Sequence, residues 1–127
     1  ETEYGSEQPT LLLTQLLEAL VRNCRYVCSI GMHTGGMTVD EATKFFMENA
    51  YMGRLPARRE ALRGTFDPGY LNYTLGKLMI LKLRKDYRTQ QGTEYSLRDF
   101  HDKLLSFGAP PLPLVREAML GEVGIPL

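Results

Sequence analysis

The chain of 127 residues lacks an excess of either charge: 15 Lys and Arg balance 15 Asp and Glu. Nucleic-acid and acidic-membrane surfaces draw on a basic excess, so neither is expected. Basic residues do gather locally, at Arg54, Arg58, Arg59 and Arg63 and at Lys82, Arg84, Lys85 and Arg88. Glu60 and Asp86 dilute both groups, and a solvated helix face accounts for them. Cysteine and histidine are scarce, with Cys24, Cys28, His33 and His101 the full set. A zinc site on the cysteine pair therefore lacks partners, and no metal ligand is assigned in this chain. Cysteines four apart in a helix lie one turn apart on one face, where a cross-link constrains little; two buried free thiols are expected. They leave the compartment open. No apolar run is long enough to span a membrane, because Gln15 and Glu18 interrupt Leu11 to Val21 and Arg22, Asn23 and Arg25 follow it. The start at Glu1 shows no signal segment. There is no His-x-x-x-His pair, no Gly-x-Ser-x-Gly elbow and no phosphate-cradling glycine loop. A complete catalytic set is missing.

What remains is an ordinary globular composition, 43% apolar and 24% charged. Its patterning is helical throughout, with no strand pair, internal repeat or low-complexity tract. The expectation is an all-α, irregular bundle of about five to six helices forming one region over 1–127. A first helix runs from Pro9-Thr10 to about Met32 and is apolar on nearly all sides, which requires cover on all sides. Thr38-Val39-Asp40-Glu41 reads as a capping box for a second helix that stops near Gly53. Leu55-Pro56 opens a third, closed by Gly64. Asp67 then Pro68 opens a fourth, to about Tyr87. Ser96 caps a fifth, to Phe107. Ala109-Pro110-Pro111-Leu112-Pro113 reads as a stiff linker, and a short last helix spans Leu114 to Leu120.

Few residues suit chemistry. Tyr70 and Tyr73, at i and i+3, fall on one helix face with Gly76 a turn further. They serve either as core phenols or as oxyanion donors, and the residues alone favour core. His33, beside glycines at a helix end, reads first as a dipole contact and second as a ligand contact. Arg22 and Arg25 interrupt the apolar first helix, either pairing and snorkelling or anchoring a carboxylate. His101 sits among charges on a solvated helix.

The run Arg22 to His33, followed by Gly36-Met37-Thr38 and Glu41-Ala42, resembles the C-terminal part of a large bacterial family of domain-of-unknown-function proteins. Its members resemble gluzincin zinc peptidases such as angiotensin-converting enzyme and thermostable carboxypeptidases. Tyr73 to Gly76, Leu83-Arg84, Leu97 to His101 and Pro111 to Leu114 continue the likeness in order. The resemblance implies that this chain is the C-terminal portion of a larger helical peptidase-like fold. Zinc would be bound by His-Glu-x-x-His and a downstream Glu before Glu1, so the chain alone holds no cofactor and is inactive. Its partners would be the N-terminal remainder of the parent and, there, a peptide-like substrate; a cut region of this kind can also form a homodimer through surface that the parent would cover. Tyr73 matches a tyrosine that stabilises the oxyanion on a zinc-polarised carbonyl. His33 matches a turn histidine facing the substrate cleft, Tyr70 a tyrosine holding a substrate carboxylate, and Arg25 a structural or substrate-anchoring arginine. Ser29 and Ile30 stand where the family tends to have Asp and Thr, Met37 where it tends to have Trp, and Pro68 to Tyr73 is one residue short. The alternative, from the lack of a catalytic set and the apolar first helix, is a non-catalytic helical binding or scaffold module.

Overall fold

The computed structural model describes residues 9–121, and every regular element in them is helical. Helices α1 (Pro9–Thr34), α2 (Val39–Asn49) and α3 (Arg54–Gly64) come first. A 3-10 turn, Pro68–Leu71, runs into α4 (Asn72–Gln91). A second 3-10 turn, Gly92–Glu94, precedes α5 (Leu97–Ser106) and α6 (Leu112–Leu120). The all-α class and the number of helices are as expected. Contacts gather the chain into two compact units divided between Thr74 and Leu75. No described helix is long and apolar enough to cross a membrane. The expectations about the start at Glu1 lie outside the described residues.

In the first unit, Cys24 and Cys28 of α1 are buried with Ala42 and Phe46 of α2, Ala50, and Ala57 and Ala61 of α3. The two cysteines are free, as expected, and share one helix face. Ala57 and Ala61, one turn apart, give α3 a flat side that lets its neighbours come close. The capping box of α2 is complete. Thr38 Oγ1 accepts from the Glu41 amide at 3.2 Å, and the Glu41 carboxylate accepts from the Thr38 amide at 2.8 Å. That backbone bond holds the Glu41 carboxyl below its ordinary value. Two boundaries differ from expectation. Helix α1 runs past Met32 to Thr34 and turns at Gly36, in the left-handed region at φ 73°, where the Met37 amide donates to the Gly31 carbonyl. Helix α2 stops at Asn49, because the Ala50 amide closes on Phe46 and Tyr51 takes φ 54°.

The first half of α1 also departs from expectation. Leu11, Leu12, Leu13, Leu16 and Leu17 are all exposed, and Leu11, Leu13 and Leu16 by more than half. The described elements pack on α1 from Leu20 onward, and the residues before it have no cover among them.

The fourth helix begins differently from the sequence pattern. Asp67 does not cap it; its carboxylate accepts from Arg63 Nε at 3.2 Å and NH2 at 3.0 Å. With that oxygen engaged, Pro68–Leu71 winds as a tighter 3-10 turn before α4 starts. Ser29 Oγ, buried on α1, donates to the Pro68 carbonyl at 2.8 Å and fastens this turn. The change of winding separates the two tyrosines: Tyr70 is 2% exposed and Tyr73 57%. A Cβ at Gly76 meets no described atom within 4 Å, so that glycine serves no close approach here.

The second unit has its own core of Leu83, Tyr87, Phe100, Val115 and Met119. The Tyr87 ring tilts against Phe100 at 5.8 Å and meets Tyr95 edge-on at 6.5 Å. Asp86 sits between Lys82 and the largely buried Arg116; its bond from Lys82, then Arg116, holds its carboxyl below the ordinary range. Ser96 accepts from the Asp99 amide and caps α5 as expected. The proline segment is shorter than expected, because Pro113 lies in the first turn of α6, where an amide has no helical partner to lose.

Candidate functional site

The residues singled out by sequence fall into two groups in the first unit, one open and one closed. The open group centres on Tyr73, at the start of α4. Its ring lies 5.9 Å from the Arg22 guanidinium and 6.0 Å from that of Arg25. Both arginines project from α1, three residues apart, so the helix repeat brings them to one side of the phenol. Such cation–ring contacts contribute about 0.5–1 kcal/mol at exposed positions. Next to Tyr73, Thr74 Oγ1 donates to Asn23 Oδ1 at 3.1 Å and ties the start of α4 to α1.

Arg25 is not free to take a ligand. Its Nε donates to Glu60 Oε2 at 2.7 Å and its NH2 to Oε1 at 2.9 Å, a two-pronged pair with both side chains less than a fifth exposed. The planar fork matches the carboxylate, so Arg25 is locked in place. Arg22 is looser, meeting Glu18 at 3.7 Å on an exposed face. Of the two readings of Arg25, the geometry is that of a brace.

The closed group meets at Gly64, the last residue of α3. His33 lies in the final turn of α1, not beyond it, and its Nε2 sits 2.8 Å from the Gly64 carbonyl. A carbonyl only accepts, so Nε2 carries the proton and donates. His33 thereby satisfies a carbonyl that the end of α3 leaves open, while the residue itself stays exposed. Tyr70 packs on the other side of Gly64, where a Cβ would stand 2.4 Å from its hydroxyl. That hydroxyl is buried and has no partner among the described residues. Burial pushes its pKa up, and the guanidinium of Arg63, 5.9 Å from the ring, only partly opposes this.

The carboxylate-holding role expected of Tyr70 requires a hydroxyl that a ligand can reach, and this one is sealed under Gly64 and Met32. Tyr70, Tyr73 and His33 do not form one wall: Tyr73 and Arg25 come together, and His33 and Tyr70 meet through Gly64. Replacing Tyr70 with Phe removes an unsatisfied buried oxygen while keeping the ring. The expected result is a gain of about 1 kcal/mol, read as a higher urea midpoint at unchanged slope; a lower midpoint would show that the hydroxyl has a partner.

Three residues that hold this arrangement were not singled out by sequence reading. Glu60 looked like a diluent in a basic helix, yet it is the partner of Arg25, 35 residues away. Nothing local signals such a pair. Ser29 read only as a departure from the pattern the sequence resembles; its hydroxyl donates to the Pro68 carbonyl, which an ionised carboxylate, an acceptor only, does not do. Gly64 read as a helix stop, and its lack of a side chain is what admits Tyr70 and Met32.

Among the described residues, no group of three or more His, Cys, Asp or Glu side chains stands where it could hold a metal ion. A family model described as "Bacterial protein of unknown function (DUF885)" matches residues 1–119, and the chain belongs to that family. Comparison with curated proteins and with solved structures gave no match.

Proposed function

We propose that this DUF885 chain supplies the Tyr73-bearing part of the substrate cleft in a zinc-dependent, peptidase-like hydrolase. The observation that carries the reading is the exposure of Tyr73 beside Arg22 and Arg25. A phenol open to solvent can donate to a developing oxyanion. Nearby positive charge favours the same anion, and Arg22, whose contact with Glu18 is loose, supplies more of it than the neutralised Arg25. The second support is the ordered likeness of Arg22 to His33 and Tyr73 to Gly76 to the zinc-peptidase pattern.

The described residues do not fit zinc. The reading therefore takes the metal from a His-Glu-x-x-His segment of the parent protein, outside this sequence, and assigns this chain the donor and its braces. Arg25 and Glu60 fix α1 against α3, Ser29 fixes the turn before Tyr73, and His33 steadies the end of α3. The substrate is peptide-like, because an acyl carbonyl is what a phenol donor of this kind serves. The test is peptide hydrolysis by the full-length parent, wild type against Tyr73→Phe at matched metal content. A fall in turnover is expected, and equal turnover overturns the role of Tyr73.

A second reading is favoured by the exposed leucines at the start of α1. In it the chain is a non-catalytic helical module whose α1 receives a partner helix. A parent that cleaves no peptide, with those leucines protected by a partner in hydrogen exchange, supports this reading over the first.

A further inference from the structure

The second unit carries a cleft of about 370 Å³ lined by Leu81, Arg84, Lys85, Arg88, Tyr95 and Leu97. That volume lies in the range of ligand clefts, roughly 300–1,000 Å³. Three of the six lining residues are cations and none is a carboxylate, in a chain whose total charge is balanced. None of the three forms a salt bridge among the described residues, whereas Lys82 on the same helix is engaged by Asp86.

Leu81, Arg84, Lys85 and Arg88 follow the i, i+3, i+4, i+7 spacing, so α4 presents them as one stripe. Leu97 opens α5 at the other side of the cleft. The Arg88 guanidinium lies 5.6 Å over the Tyr95 ring, which holds it in position before any ligand arrives. Leu81 and Leu97 remain well exposed and give the cleft an apolar lining between its charges.

We propose that this cleft docks an acidic peptide segment, with an aliphatic side chain between Leu81 and Leu97 and carboxylates on Arg84, Lys85 and Arg88. Charge complementarity selects the anion. The two exposed leucines select an aliphatic group over a nucleic-acid base, which calls for aromatic stacking surfaces and a longer basic track. The inference is independent of the role given to Tyr73.

The test uses the whole chain and a labelled eight-residue peptide of glutamates around a central leucine, followed by fluorescence anisotropy. Binding is expected at low ionic strength and should weaken with added salt. Changing glutamate to glutamine in the peptide, or leucine to serine, should weaken it further. The double variant Arg84→Glu/Arg88→Glu should lose affinity by about tenfold or more. Lys85→Glu, at an exposed position, gives the same direction with less risk to folding, and circular dichroism checks both variants. Equal binding of the glutamine peptide, unchanged binding by both variants, or tighter binding of a single-stranded oligonucleotide overturns the proposal.

Discussion

Replacing Gly64 with alanine lowers the unfolding free energy by about 2–3 kcal/mol. The new Cβ would stand 2.3 Å from Met32 Cε, 2.4 Å from the Tyr70 hydroxyl oxygen and 2.9 Å from Tyr70 Cζ. The Met32 methyl ends a flexible side chain and can swing aside. Tyr70 cannot, because its ring is rigid and enclosed on all sides. Either the ring shifts and disturbs the turn held by Ser29, or the end of α3 moves away and stretches the bond from His33. Alanine is the better helix former by about 1 kcal/mol, which offsets part of the loss without reversing it. Urea unfolding reads the difference. The double variant Gly64→Ala/Tyr70→Phe should recover part of it, because the oxygen nearest the new Cβ is gone, and the non-additivity measures that contact. A Gly64→Ala protein as stable as the wild type would mean that the packing around Tyr70 is loose enough to admit a methyl group.

Tyr73→Phe in the full-length parent should lower kcat by about a hundredfold, the scale for loss of one oxyanion donor. The exposed hydroxyl is removed and the ring kept, so the contacts with Arg22 and Arg25 persist and folding should change little. KM should move less than kcat, because the interaction forms in the transition state. Metal content should be unchanged, since Tyr73 belongs to no metal-holding group among the described residues. A rise in KM at constant kcat would instead assign Tyr73 to ground-state binding. Arg25→Ala serves as a contrast: it leaves Glu60 unpaired in a partly buried place, so its effect should appear in stability as well as rate.

The helical class and most helix positions were legible in sequence because their causes are local. The capping box at Thr38, the Ser96 cap and the glycine after α6 act within a few residues of themselves. The start of α4 was misread for the same reason. Asp67-Pro68 is a sound local signal, but Arg63 took the carboxylate and Ser29, 39 residues away, took the Pro68 carbonyl. With the winding changed, the i, i+3 relation of Tyr70 and Tyr73 no longer put them in one environment. The apolar first helix was equally deceptive, since periodicity says which faces want cover and not whether the described residues provide it. The Arg25–Glu60 pair lay beyond reach, because two ordinary charges on two amphipathic helices carry no mark of their partnership.

The two thiols of α1 have a practical use. Burial raises both, and Cys28 is pushed up to about 12, so neither ionises near neutral pH while the first unit is folded. Thiolate is the reactive form, and the chain has no other cysteine. A disulfide reagent therefore reacts only through molecules that have opened. Its rate is a clock for the first unit, blind to the second, which contains no cysteine. Above the ordinary thiol value of about 9, the unfolded chain releases protons that the folded core retains, so stability should fall as pH rises there. The same two sulfurs would then report how far Gly64→Ala loosens the helices around them.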